Sequence, residues 1–212
     1  MTDRKNGTKQ NITYAALDFF SQKGFTETSM REIAAAVGVN ASSMYNHFKS
    51  KASILDDLLE DYRQYAGNLT PPAACWSRLT ADATVEDVLG CFIIYFPKDE
   101  EAYYLKMITL LFQEQCRNRV IQEFVANNLI LWQERYVADI LNRLVEVGAL
   151  RPDIDIDFWA KTHANLNYTF TGRYVLGIGD TQPQYEGKNI EEMIRAIYQN
   201  IFRLHGRISA DA

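Results

Sequence analysis

Several things a membrane protein, a secreted scaffold or a hydrolase would need are missing from this chain. Its longest apolar run, Cys91–Phe96, is far too short to cross a bilayer. Met1 is followed by polar residues rather than an apolar stretch, which predicts a cytoplasmic protein without a secretory leader. Cysteine is scarce: Cys75, Cys91 and Cys116 form no Cys-x-x-Cys pair and are odd in number, which argues against a disulfide framework or a zinc site. Small buried hydrophobes are the simpler reading of all three, with redox sensing as the alternative. The histidines are His47, His163 and His205, and none sits in a His-Glu-x-x-His pattern. There is no Gly-x-Ser-x-Gly elbow and no Gly-x-x-x-x-Gly-Lys loop, and the "GIGD" at 177–180 lacks the third glycine of a dinucleotide site. Catalysis is not expected, nor a metal or cofactor.

What is present is a chain of 212 residues, long enough to bury a substantial core, with its charge unevenly spread. Residues 1–53 hold seven Lys/Arg against four Asp/Glu, a net of +3, leaving −8 for the remainder of a chain whose total is −5. A small basic head on an acidic body suggests that one end meets a polyanion.

The apolar spacing is helical almost throughout, and the fold class is all-α. Ile12, Ala15, Ala16, Phe19 and Phe20 share one face of a first helix that Gly24 ends. Thr28 or Ser29 caps a second, short helix with Met30, Ile33, Ala34 and Val37 inward, and Glu32 completes a capping-box pattern with Ser29. Gly38 stops it. Asn40 caps a third, in which only Met44 and Phe48 keep a buried spacing, and Ser50 caps a fourth carrying Ile54, Leu55, Leu58, Leu59 and Tyr62. Pro71-Pro72 mark a break over 67–84. Helices are then expected at about 85–96, 99–115, 118–147, 157–176 and 190–205, with a loop at 177–189. The expected architecture is a three-helix head at 1–50, a linking helix at 51–66, and a larger bundle over 67–212. That is about nine helices in all.

Helices two and three, joined through Val37-Gly38-Val39, have the length and turn of a helix-turn-helix, whose second helix enters the major groove. Met44 and Phe48 anchor that helix. Ala41, Ser42, Ser43 and Asn46 are small or polar, so that base edges can approach; Asn pairs bidentately with adenine, and Ser accepts or donates. Tyr45, His47 and Lys51 have donors for phosphates, and the Thr28 hydroxyl stands at a helix N-terminus. An ordinary helical hairpin with a polar outer face fits the same spacing.

The stretch "AALDFFSQKGFTETSMREIAAAVGVNASSMYNHFKSKASIL" resembles the DNA-binding segment of TetR/AcrR-family transcriptional regulators. The features that match are Phe20-x-x-x-Gly24-Phe25, the Thr28-Ser29 cap, "REIA", "GV", and Tyr45-x-x-Phe48-x-x-Lys51. The resemblance implies phosphate contacts from Thr28, Ser29, Tyr45, His47 and Lys51, and base reading by the face from Asn40 to Asn46. It also implies a homodimer on an inverted-repeat operator of double-stranded DNA, and release by a small-molecule effector. Members often carry Lys-Gly where this chain has Ala41-Ser42, so operator preference does not transfer from a relative. A protein-interaction adaptor that has kept the hairpin without DNA binding is the rival reading.

The larger domain is rich in aromatics, most of them expected in the core. The helix "FWAKTHANLNYTFTGRY" carries His163, Asn167 and Phe170 on one stripe, and buried polar groups need partners. These residues point to a ligand or to a hydrogen-bonded dimer seam. Phe92, Met107, Trp132, Tyr136, His163, Asn167 and Phe170 are the candidate pocket walls for an apolar or aromatic effector, with Tyr62 as the contact on the linking helix. The last helix has a long apolar face: Ile190, Met193, Ile194, Ile197, Tyr198, Ile201 and Phe202. With 157–176 it is expected to build a four-helix dimer interface through Phe158, Leu166, Ile194, Ile197 and Ile201, or else to close its own subunit.

Overall fold

The computed structural model describes residues 7–68, 73–92, 101–175, 177 and 188–206. Among them every regular element is helical: α1 (Thr8–Lys23), α2 (Met30–Ala36), α3 (Ala41–His47), α4 (Lys51–Asn68), α5 (Ala73–Arg78), α6 (Val85–Leu89), α7 (Glu101–Glu114), α8 (Arg119–Val125), α9 (Leu131–Glu146), α10 (Ile156–Val175) and α11 (Lys188–His205). A π-helical turn, Ala126–Ile130, precedes α9. No described helix is long and apolar enough to cross a membrane.

The chain forms two compact units, each drawing on two stretches of sequence. Met1–Leu69 with Phe96–Val125 makes the first, and Thr70–Tyr95 with Ala126–Ala212 the second. In the first, Ile12, Ala16, Leu17 and Phe20 of α1 are buried, as are Ile33, Met44 and Phe48 and the inward row Ile54, Leu55, Leu58 and Leu59 of α4. The buried stripe of α1 is thus rotated from the expected one: Ala15 and Phe19 are only half-buried, and Leu17 is inside. Tyr104, Met107, Leu110 and Leu111 of α7 are also buried, at the i, i+3, i+6 and i+7 positions of one face of an amphipathic helix. Tyr103 at its start donates to Asp61 Oδ2 at 2.7 Å, and Lys106 pairs with Asp18.

The caps form as their spacing predicts. Ser29 and Glu32 close a capping box, Asn40 accepts from Ser43 N at 2.8 Å, and Ser50 Oγ accepts from Ser53 N at 3.2 Å. Between α2 and α3, Gly38 has φ +69°, and the amide beyond it, Val39 N, returns to Ala34 O at 3.0 Å.

In the second unit Val137, Ile140, Leu141 and Leu144 of α9 pack in a core with Val88, Leu89, Ala160, Tyr198 and Ile201. The α9–α10 connection is tied to the end of α11: Arg151 N donates to His205 O at 2.7 Å, and Arg151 Nη2 to Leu204 O at 2.7 Å. Three expectations change here. The break after Pro71-Pro72 contains α5; the helix expected over 85–96 closes at Leu89, with 93–96 outside the described residues; and the 118–147 helix is interrupted by the π turn. The expected loop at 177–189 lies outside them too, apart from Gly177 and the start of α11.

Gly24 ends α1 at φ +92° and ψ 160°, a region open in practice to glycine alone, and a Cβ there would stand 2.8 Å from Glu114 Oε1. Gly24→Ala should destabilise the protein by about 1–3 kcal/mol from backbone strain, before the displaced carboxylate is counted. A melting temperature unchanged by the substitution would contradict this account.

Candidate nucleic-acid interface

Helix α3 buries Met44 and Phe48 and leaves Ser42, Asn46 and His47 exposed, Ser43 half-buried, and Tyr45 48% exposed. Ala41 opens the helix; its side chain is outside the described residues. The expected reading face therefore does face outward. Asn40 is exposed as well, but its carboxamide oxygen is committed to the Ser43 amide, which favours a capping role over base reading. Lys49, which the sequence pattern did not single out, is exposed at the end of α3 and donates to Tyr45 O at 3.1 Å. It puts a positive charge beside the outer face.

The flanking residues need two corrections. Thr28, expected to offer its hydroxyl to a phosphate, is 2% exposed and donates instead to Gly24 O at 2.9 Å. Its methyl and hydroxyl are folded into the turn between α1 and α2. Ser29 remains exposed, with its hydroxyl shared with Glu32. Lys51, expected to hold a phosphate, gives its three N–H groups to three carbonyls of that turn: Phe25 O, Thr26 O at 3.0 Å, and Thr28 O at 2.7 Å. The ammonium also lies 4.6 Å from the centroid of the Phe25 ring. Burial holds its pKa below the ordinary lysine value. An ammonium with every donor engaged contributes charge to the surface but no hydrogen bond to DNA.

On the other side of the same turn, Phe25 N donates to Glu114 Oε1 at 2.9 Å, and Glu114 is buried at 6% exposure. Sequence reading missed this residue, although a signal existed. Glu114 falls at i+7 from Met107 and i+3 from Leu111, a carboxylate on an otherwise apolar stripe that must find a partner. Glu32 is a surface counterpart: the Lys23 ammonium, then the Ser29 hydroxyl and amide, pull its pKa down to about 2.

The candidate effector residues separate into the two units. Tyr62 and Met107 belong to the first, where the Tyr62 ring meets Tyr104 at 6.3 Å and Phe124 at 5.9 Å. Phe92, Trp132, Tyr136, His163, Asn167 and Phe170 belong to the second. There Trp132 stacks on Tyr136 at 5.4 Å, Tyr136 donates to Cys91 O at 3.0 Å, and Phe92 lies 4.4 Å from the His163 ring. His163 is 1% exposed; its Nδ1 is 3.4 Å from the Tyr198 hydroxyl, and its Nε2 has no hydrogen-bond partner among the described residues. Asn167 and Phe170 are half-buried.

The expected dimer residues also divide. Ile194 and Ile201 are buried in their own unit's core together with Tyr198, which leaves them little side-chain surface to offer a second subunit. Met193 and Leu204 are exposed at 42% and 50%, with Ile197 half-buried between them, and Phe158 of α10 is 55% exposed. Two apolar stripes run along α11, one inward and one outward, because residues one apart are turned by about 100°. Leu166 is half-buried.

A short helix bearing an outward polar face, held at a fixed turn to a capped partner helix, is the arrangement of a helix-turn-helix. Residues 12–58 match the family model for bacterial regulatory proteins of the tetR family. It is 25% identical over 150 residues to the HTH-type transcriptional repressor KstR2 of Mycolicibacterium smegmatis, which covers 70% of each chain. It is 40% identical over 62 residues to the transcriptional regulator AcrR of Shigella flexneri, covering 29% of each. In fold it is similar to a TetR-family regulator from Mesorhizobium loti, with a TM-score of 0.65 at 15% identity over 94% of this chain and 97% of that one.

Asn46→Ala should lose discrimination at one base position by about 1–3 kcal/mol and leave thermal stability unchanged. Lys51→Met should do the reverse: a lower melting temperature and weaker sequence-specific binding, with the slope of log affinity against log salt kept. A slope reduced by about one would restore the phosphate role to Lys51.

Burial lowers the pKa of His163 to about 4, so the ring is neutral in the folded protein near pH 7. The unfolded chain, with an ordinary histidine, binds the extra proton first as pH falls. Stability from this residue is complete above about pH 6.5 and is lost progressively between there and pH 4, reaching a loss of about 1 kcal/mol near pH 5.5. His163→Phe should remove that part of the pH dependence in melts at pH 5.5 and 7.5; an identical dependence would place its source elsewhere.

Proposed function

We propose that the protein is a transcriptional repressor that binds an inverted-repeat DNA operator as a homodimer and is released by an apolar or aromatic small molecule. The observation that carries the DNA assignment is the outward face of α3. Ser42, Tyr45, Asn46 and His47 are exposed on a helix whose Met44 and Phe48 fix it to the head. Ser42, Ser43 and Asn46 supply base-edge contacts; Tyr45, His47 and the Lys49 charge supply phosphate contacts. Residues 1–50 act as the DNA head, 51–66 as the link, and 67–212 as the effector and dimerisation part.

Dimerisation runs through the outward stripe of α11, Met193, Ile197 and Leu204, with Phe158 of α10. Three large apolar side chains in solvent (Met193, Leu204 and Phe158), with the half-buried Ile197 beside them, favour association. The effector site is assigned to the ring cluster of the second unit. The unpartnered Nε2 of His163 there offers one directional contact inside an apolar wall of Phe92, Trp132 and Tyr136. Relatives named as transcriptional repressors support the negative sign of regulation.

Duplexes enriched by the wild-type protein from a random-sequence pool should carry an inverted repeat, and their affinity should fall steeply with salt. Ile197→Asp should run as a folded monomer in light scattering and lose about a hundredfold or more in affinity for those duplexes, because two linked heads bind far more tightly than one. A fully dimeric Ile197→Asp protein would remove α11 from the interface, and failure to enrich any sequence would remove the DNA assignment.

A further inference from the structure

We infer that Glu114, at the end of α7, is a positioning residue for DNA recognition: its carboxylate sets the turn from which the two helices of the DNA-binding hairpin emerge. The inference rests on the DNA-binding reading and extends it to a residue far from the reading face.

The turn between α1 and α2 is held by side chains from outside it. Its first amide, Phe25 N, is taken by Glu114 Oε1 at 2.9 Å. Its carbonyls at Phe25, Thr26 and Thr28 converge on the Lys51 ammonium. The Phe25 residue therefore has a carboxylate on its N–H and an ammonium on its C=O, each charge favouring the group it meets. The carboxylate approaches so closely because residue 24 has no side chain: a Cβ on Gly24 would be 2.8 Å from Oε1. Ser29, which caps α2, is only four residues beyond Phe25.

Two supports come from different directions. Lys51 belongs to α4, next in sequence to the reading helix, whereas Glu114 closes α7 and reaches the turn across 89 positions of sequence. Glu114 is buried, so withdrawing it from Phe25 would leave a desolvated carboxylate and an orphaned amide together. Hydrogen bonds weaken steeply once stretched by a few tenths of an ångström. A displacement of the last turn of α7 is thus resisted by the turn or carried into it, and the start of α2 moves with it. That makes α7 a lever on the DNA-binding hairpin, with Glu114 as its point of contact.

The test compares Glu114→Ala, Glu114→Asp and Glu114→Gln in the full chain. Gln keeps the reach and an acceptor oxygen; Asp keeps the charge and loses the reach. Probes are duplexes enriched by the wild-type protein from a random pool and an unselected duplex of equal length. Hydrogen exchange over 25–29 and thermal melts accompany the binding data. Ala and Asp should lose about tenfold in affinity for selected duplexes, keep their affinity for the unselected one, and exchange faster at Phe25; Gln should stay within about threefold of wild type. If the Ala protein does not fold, the Asp and Gln pair decides. Wild-type specificity and Phe25 protection in both Ala and Asp, or equal losses in Asp and Gln, would overturn the inference. If the wild-type protein enriches no sequence, the DNA assignment falls, and exchange at Phe25 still decides whether Glu114 holds the turn.

Discussion

A six-residue turn, Gly24–Ser29, depends on two opposite charges, and the DNA-binding hairpin depends on that turn. Lys51 gathers three of its carbonyls, and Glu114 takes its Phe25 amide. Neither group would be stable alone in a partly buried place: an ammonium with carbonyl partners and a carboxylate with an amide partner are both satisfied, and each lies in the other's field. Helix α2, only seven residues long, is too short to hold its own position by propensity. Its orientation is inherited from the turn before it, and that of α3 from α2 through Gly38. The outward aim of Asn46 thus begins with side chains that never approach a base.

Much of the head was legible because its determinants are local. The Ser29–Glu32 box, the Asn40–Ser43 cap and the Ser50–Ser53 cap each link residues three apart, and such spacing is visible in a string of letters. The anchor pair Met44 and Phe48 was equally plain, being polar-flanked apolar residues one helical turn apart. Lys51 was misjudged for a physical reason. A lysine after a recognition helix reads as a phosphate ligand, and nothing in its neighbours indicates that carbonyls 23 to 26 positions away will reach it. Thr28 was misjudged likewise: both its hydroxyl's targets, a phosphate or Gly24 O, are compatible with the same letter. A contact between Phe25 and Glu114 leaves no periodic trace at all, only an acid where a hydrophobe belongs.

The second unit was harder to read, because apolar character does not say which neighbour covers it. Trp132 and Tyr136 stack, and Tyr136 satisfies its hydroxyl on Cys91 O, so these rings are core in the free protein as well as candidate walls. His163 differs from them in chemistry: one ring nitrogen meets Tyr198 and the other meets no hydrogen-bonding group among the described residues. Ile194 and Ile201 show the same ambiguity on α11, where an interface stripe and a core stripe are written in the same residue types. The π turn at Ala126–Ile130 and the short α5 carry no sequence signature that separates them from ordinary helix and loop.

The two stripes of α11 divide that helix into surfaces under different constraints. Ile194, Tyr198 and Ile201 fill a fixed volume, and a change of one methyl group there is felt by the whole core. Met193 and Leu204 are exposed and Ile197 only rests against that core, so the shape and polarity of this side can drift more freely while the fold stays the same. In a cell holding several regulators of one fold, mispairing between unlike subunits would scramble operator choice. Under the proposed dimerisation, the outer stripe is where a sequence can change its pairing preference, by a clash or an unmatched polar group against the wrong partner, at little cost to its own core.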